Sequence, residues 1–251
     1  NLKIYFALFI LAISSIPTYP QVTLADSDVL MRAMNDEIAR TVNQLQLKDL
    51  GKPYFVEYGV SDLESFNVSA KFGALNGSGF DRSRSATTQV RLGNYDSDNT
   101  NLFTTGTLSN TIPLALDDNY DAIRHDLWLA TDASYKSAIE QISAKRSYLQ
   151  NNVVDEKLHD LSKETPSLSI QSKQKLEVEA AKWEKFIREL SAVFRKYPQI
   201  TDSSVTMFAR LENRYLANSE GTRLREPNLL ISINIYAETI TSDNLRLNPS
   251  R

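Results

Sequence analysis

Two runs of this chain change side at every residue. "YFVEYGV" (54–60) places Tyr54, Val56, Tyr58 and Val60 on one face. "LLISINIYAE" (229–238) sets Leu229, Ile231, Ile233, Ile235 and Ala237 against Leu230, Ser232, Asn234, Tyr236 and Glu238. A period of two cannot ride on a helix; it demands strands that turn one face to a core. Two further runs alternate in the same way, "SFNVSAKFGAL" (65–75) and "SRSATTQVRLG" (83–93). Ser61-Asp62 and Asn76-Gly77-Ser78-Gly79 carry turn chemistry between them, which predicts a three-stranded antiparallel meander over 54–93. "SSVTMFARLE" (203–212), "RYLAN" and "TRLR" add more strand character ahead of Leu229.

Between and before these blocks the period becomes three to four. Met31, Met34, Ile38, Val42 and Leu45 mark one face of a helix over about 26–47, with Asp26 or Ser27 placed to cap it. Tyr120, Ile123, Leu127, Thr131, Tyr135, Ala138, Ile142 and Leu149 mark a second, over 117–149. Leu176, Ala180, Trp183, Ile187, Leu190 and Phe194 mark a third, over 174–197, stopped by Pro198. A short strand falls near 168–170 in the connector. The order is helix, β-meander, two helices, β-meander. It predicts an α+β fold: a largely antiparallel sheet with three long helices packed on one face.

Length and charge narrow the function classes. The 251 residues suffice for one large domain, and 41% hydrophobic content supplies its core. A net charge of −3 with dispersed basic residues excludes a nucleic-acid footprint. The absence of cysteine excludes disulfides, thiolate metal sites and a cysteine nucleophile within the chain. Residues 1–25, with Lys3, an apolar run from Ile4 to Ile16 and Thr23-Leu24-Ala25 at the end, have the layout of a secretory signal. Ser14, Ser15 and Pro17 interrupt that run before the roughly 20 residues a membrane span needs, so no stable span is expected. The expected location is exported and periplasmic, with the folded domain over 26–245.

No catalytic constellation stands out. His125 and His159 lie too far apart for a two-histidine metal motif on one helix. Asp96, Asp98 and Asp117-Asp118 fall in or beside a polar stretch, 94–113, without the spacing of a calcium loop. Glu57, Asp62 and Glu64 read as structural carboxylates. "RYLANSEGTRLRE" (214–226) gathers Asn218, Ser219, Glu220 and Gly221, an amide, a hydroxyl, a carboxylate and a glycine. Strand alternation on both sides makes it a tight hairpin, with Gly221 at the positive-φ position.

Four segments in order, "PYFVEYGVSDLESFNVSAKFGAL", "SRSATTQVRLGNYDSDNTN", "LDDNYDAIRHDLWLATDASYKSAIEQISAKR" and "RYLANSEGTRLREP", resemble the N-terminal domain of the TldD/PmbA metallopeptidase-related proteins, in an exported bacterial subgroup. The resemblance spans about residues 28–240. It implies a paired-subunit protein, a homo- or heterodimer with a paralogue, that degrades peptides. Active members carry zinc on a His-Glu-x-x-x-His helix downstream of the Asn-Ser-x-Gly hairpin. That motif does not occur here, so no catalytic or metal residue is carried over. Zinc would belong to a further domain, with residues 246–251 opening the linker to it, and no cofactor is expected in this chain. The implied role is a non-catalytic scaffold of a peptidase chamber that contacts a partner subunit or peptide, through Asn218, Ser219, Glu220 and Gly221 or through the strand 229–238. Whether the parent protein is an active enzyme is left open. The other reading is a self-contained exported binding or assembly module without enzymatic activity.

Overall fold

The computed structural model describes residues 28–46, 51–101, 110–152, 159–240 and 246–247, so the proposed signal segment and most of the proposed linker lie outside the described residues. Helix α1 (Val29–Gln44) opens on Asp28, whose carboxylate accepts the Met31 N–H at 3.0 Å. Asp28 itself is therefore the cap, one or two residues beyond the expected position. Helix α2 (Tyr120–Asn151) opens on Asn119, which accepts the N–H groups of Asp121 and Ala122. Ile123, Leu127, Thr131, Tyr135, Ala138 and Ile142 of the expected stripe are buried, whereas its ends are not: Tyr120 is half-buried and Leu149 exposed.

Helix α3 (Ala180–Ala192) runs on into a 3-10 turn (Val193–Lys196), shorter than the expected 174–197. The reason is tertiary. Asn213 accepts the Gln174 N–H and donates back to the Gln174 carbonyl, both at 3.0 Å, and Glu64 accepts the Leu176 N–H at 2.8 Å. Those backbone groups are bound to the sheet rather than to a helical turn.

The strands are longer and fewer than the sequence suggests. β1 (Pro53–Lys71) and β2 (Ala74–Leu92) each run 19 residues, passing straight through the two stretches that look like turns. Ser61 and Asp62 stay in the ladder opposite Ser85 and Arg84, and Gly77 to Gly79 pair with Ser69 to Asn67. The actual turn is Phe72-Gly73, with φ of 43° and 78°, positive at both central residues as a two-residue type I′ hairpin requires. Phenylalanine is a poor residue for that conformation, and α3 holds the turn in place. Ser191 Oγ accepts the Gly73 N–H at 2.8 Å, Arg188 donates to the Gly73 carbonyl and Arg195 to that of Phe72.

After β3 (Asn110–Pro113) and β4 (Leu168–Ile170) come β5 (Ile200–Asn218), β6 (Arg223–Ile240) and β7 (Arg246–Leu247). The three or four late strands expected from the sequence fuse into one long hairpin, β5–β6. The described strands form one sheet in the order β3-β2-β1-β5-β6-β4, with β7 also on β6. All pairs are antiparallel except β4 with β6. The fold is α+β, with the helices on one face.

That face carries its cores in series along β1. Val56, Tyr58 and Val60 join Tyr215, Ala217, α1 and the first half of α2. Phe66, Val68 and Ala70 join Val205, Met207, Ala209 and α3. The second half of α2 packs on Val90 and Leu92. Between the first two cores, on the same face, sits Asp62, 2% exposed. Its carboxylate meets Lys173 at 2.9 Å, Arg84 at 3.0 Å and Arg82 at 3.3 Å. Burial alone would raise the Asp62 pKa, but Arg84 and Lys173 outweigh it and hold the pKa below its ordinary value.

Asp62→Asn removes the anion shared by Lys173, Arg82 and Arg84 and leaves Arg84 with Asp118 alone, so it should cost about 3–5 kcal/mol in urea unfolding at neutral pH. Because the folded value is lowered, the stabilisation is present above the ordinary aspartate range and is lost as pH falls below it. The variant should accordingly lose less stability than the wild type between neutral pH and about pH 3. Equal acid sensitivity would show that Asp62 is not held in this way.

Candidate functional site

The hairpin at 218–221 closes the β5–β6 pair and consumes its own polar groups. Asn218 Oδ1 accepts the N–H groups of Glu220 and Thr222, both at 3.1 Å, and Gly221 takes φ 109°. Ser219 continues the ladder beyond β5: its N–H donates to the Val56 carbonyl at 2.8 Å, and its hydroxyl oxygen accepts the Val56 N–H at 3.0 Å. Glu220 accepts from Tyr95 at 2.6 Å. The four residues expected from sequence are brought together, but as a turn tied into β1 and the loop after β2.

Neither histidine stands beside Ser219 as a base. His159 pairs with Asp96 at 2.7 Å and His125 stacks on Trp128, with ring centroids 6.1 Å apart. The aspartates of the polar stretch are engaged by cations and donors. Asp98 accepts from Tyr54, Arg91 and the Thr100 N–H at 2.7–2.8 Å, and Asp118 pairs with Arg84 at 2.8 Å. Among the described residues no three of His, Cys, Asp and Glu are grouped to hold a metal ion, so the residues present do not fit a zinc site.

The face opposite the helices contains a hollow of about 320 Å³ centred on Gly59. Gly59 lies between Thr87 of β2 and Leu216 of β5, and a Cβ there would stand 2.7 Å from Thr87 Oγ1. Its rim includes Ser61, Glu212, Arg214 and Leu224. Glu212 accepts from Ser61 at 2.6 Å and pairs with Arg214 at 3.1 Å and Arg210 at 3.3 Å. Burial would raise its pKa, but Ser61 and the two guanidinium groups outweigh this and lower it, so Glu212 is a fixed anion and not a proton donor near neutral pH. The hollow offers shape and one ion pair, without a nucleophile–base pair. A lone glycine within the alternation of "YFVEYGV" is the signal that could have located it.

β6 presents a third feature, a free edge. β4 covers its outer side up to Arg225 and β7 from Thr239, and among the described residues no strand pairs with the outer side of 226–235. Leu229, Ile231, Ile233 and Ile235 lie opposite Leu211, Ala209, Met207 and Val205 and share their helix-side face. The β5 residues are buried, whereas the β6 residues are 57%, 51%, 41% and 47% exposed. The cause is the position of α3, which packs over β1, β2 and β5 and leaves β6 bare. Leu230 is exposed on the other face, and no charged side chain falls between Glu226 and Glu238.

Glu57 lies across from Asn218 in the β1–β5 ladder. Burial raises its pKa and nearby Glu220 adds to this, against the lowering influence of Asn218 and Arg91. A raised carboxylate makes folding less favourable as pH rises through the folded value. Glu57→Gln should therefore match the wild type below about pH 4 and be more stable at neutral pH. Thermal melts across that range check it, and a variant less stable at neutral pH would overturn the assignment.

No protein-family profile matches the chain, and no curated protein sequence matches it. Among solved structures, it is similar to TldE from Thermococcus kodakarensis at TM-score 0.46 and 10% identity, over 86% of this chain and 41% of that one. It is similar at TM-score 0.48 and 10% identity to a protein described as a modulator of DNA gyrase from Bacteroides thetaiotaomicron VPI-5482, over 88% of this chain and 42% of the other. A third, described likewise and from Thermotoga maritima MSB8, gives TM-score 0.38 and 12% identity, over 77% and 37%. The chain thus spans roughly two fifths of the length of each of these solved structures.

Proposed function

We propose that this chain is a non-catalytic, exported scaffold domain of the TldD/PmbA type, which joins a larger assembly by accepting an extended polypeptide segment along the free edge of β6. The edge is the observation that carries this reading. Among the described residues it combines a strand edge without a paired neighbour over 227–235 with apolar side chains on both faces and no charge between Glu226 and Glu238. Natural edge strands are normally blunted by lysine, proline, bulges or a covering element. β6 has Pro227 at the start of the open stretch and no register shift opposite β5 from Glu238 back to Arg223.

Addition of a strand to such an edge draws affinity from the backbone and is tolerant of sequence, which suits a partner subunit or a varied peptide. The ordered segments that resemble the TldD/PmbA N-terminal domain support the scaffold part of the reading. So does the polar inventory: Ser219 is engaged with Val56, Glu220 with Tyr95, and Asp98 with Tyr54 and Arg91. Zinc chemistry is assigned to no residue of this chain, and export rests on the layout of residues 1–25.

A fluorescent peptide of about ten residues with uncharged, alternating apolar and polar side chains should bind the wild-type chain with an anisotropy change. Ile233→Lys puts a charge in the middle of the edge and should weaken that binding at least about tenfold, with the circular dichroism spectrum unchanged. Equal binding by the variant would overturn the edge as the contact surface.

A further inference from the structure

We infer that the hollow at Gly59 is a binding site for an aromatic side chain, that of tyrosine, presented by a peptide ligand. The site lies on the sheet face away from the helices and does not depend on the edge of β6. Gly59 is the single glycine of β1. Its cross-strand neighbours are Thr87 and Leu216, with Leu224 beyond Leu216 on β6. Adjacent strands lie about 4.8 Å apart, so β2 and β5 stand about 9.5 Å apart across Gly59, and the missing side chain leaves a slot between them. A glycine so placed in a sheet is often covered by a ring from a neighbouring strand. Here none of the opposed or diagonal residues, Thr87, Leu216, Ser85, Gln89, Arg214 and Asn218, is aromatic. Tyr215 borders the hollow but belongs to the helix-side core, where its hydroxyl donates to Asp28 at 3.0 Å. The volume of about 320 Å³ is at the small end for ligand sites, which suits one ring and its stem.

The lining selects the kind of side chain. Leu216 and Leu224 form an apolar wall, and Ser61, Ser85 and Thr87 form a polar one. The rim carries both signs of charge, Arg214 with Glu212 and Glu226, so it favours neither a free anion nor a free cation. A neutral ring meets no such conflict, because its face attracts a guanidinium. Arg214 is placed for that contact. Glu212 holds its Nε at 3.1 Å, Ser61 in turn holds Glu212 at 2.6 Å, and the Arg214 side chain is still 62% exposed. A planar guanidinium fixed by one partner and open on its other side stacks on an aromatic face, which a branched aliphatic chain does not offer. A phenol also matches the two walls: its apolar body meets the leucines and its hydroxyl the serine and threonine side.

N-acetyl-tyrosinamide titrated into the full chain, followed by NMR, tests the site. A ring lying over Gly59 should move the glycine α-proton resonances upfield, a ring-current signature that N-acetyl-leucinamide cannot produce. The tyrosine amide should bind more tightly than the leucine amide. Arg214→Ala should weaken the tyrosine amide about two- to fivefold and leave the leucine amide unchanged. Thr87→Phe sets a ring directly opposite Gly59 from within the sheet, at an exposed position. That variant should abolish binding of the tyrosine amide and raise the melting temperature, since its own ring covers the glycine. Equal affinity for the two amides would overturn the aromatic assignment. Binding by Thr87→Phe as tight as by the wild type would overturn the hollow as the site. A Gly59 resonance unmoved by the tyrosine amide would overturn both.

Discussion

The contact between Asp62 and Arg84 is where the two halves of this fold are joined. Strands of 19 residues extend about 60 Å, whereas a helix of α3's length covers about 20 Å, so one sheet face needs helices placed end to end. A gap between the apolar cores follows, and β1 fills it with carboxylates, Asp62 and Glu64, in place of apolar residues. Asp62 engages Arg84, which also donates to the carbonyls of Ala115 and Asp117 and pairs with Asp118, just ahead of α2. It engages Lys173 as well, on the segment that leads into α3. One buried carboxylate therefore locates β1, β2 and the approaches to two helices. Such a cluster is a poor source of net stability, and its effect is to fix position.

Much of this was legible in the alternation, and the misread parts share one cause. Val56, Tyr58 and Val60 have the same parity as Phe66, Val68 and Ala70, which is the mark of a single unbroken strand. Ser61-Asp62 suggests a turn only if that parity is ignored. Asn76-Gly77-Ser78-Gly79 suggests one by composition, but the turn at Phe72-Gly73 is imposed by Ser191, Arg188 and Arg195, more than a hundred residues away. The start of α3 is equally non-local. Leu176, Val178 and Ala180 fit a period of two as well as Leu176, Ala180 and Trp183 fit a helix, and the side chains of Glu64 and Asn213 decide between them. Local propensity yielded wherever the sheet supplied stronger partners.

The same distinction separates the parts of the candidate site. Asn218, Ser219 and Gly221 form a turn for local reasons: an amide that caps its own backbone and a glycine free to take positive φ. What the turn contacts is set by distant residues, Val56 through Ser219 and Tyr95 through Glu220. The hollow at Gly59 needs β2 and β5 on either side before it exists. Pattern alone could identify Leu229 to Glu238 as a strand, but its exposure follows from where α3 settles.

β5 and β6 bring the functional question to a single comparison. They are paired along nearly their whole length and carry the same kind of side chain on the same face, yet α3 covers one and leaves the other open. For a surface strand in water, threonine or serine would serve the helix-side positions of β6 without exposing apolar area. Four large aliphatic residues there, on a strand with no charge between Glu226 and Glu238, run against the usual protection of an edge. The polar groups of the hairpin and the aspartate-rich loop, by contrast, are bound within the fold, Ser219 to Val56, Glu220 to Tyr95 and Asp98 to Tyr54 and Arg91. Recognition of an extended segment is therefore best sought along the aliphatic surface and edge of β6 over residues 227–235, where no described strand pairs with it.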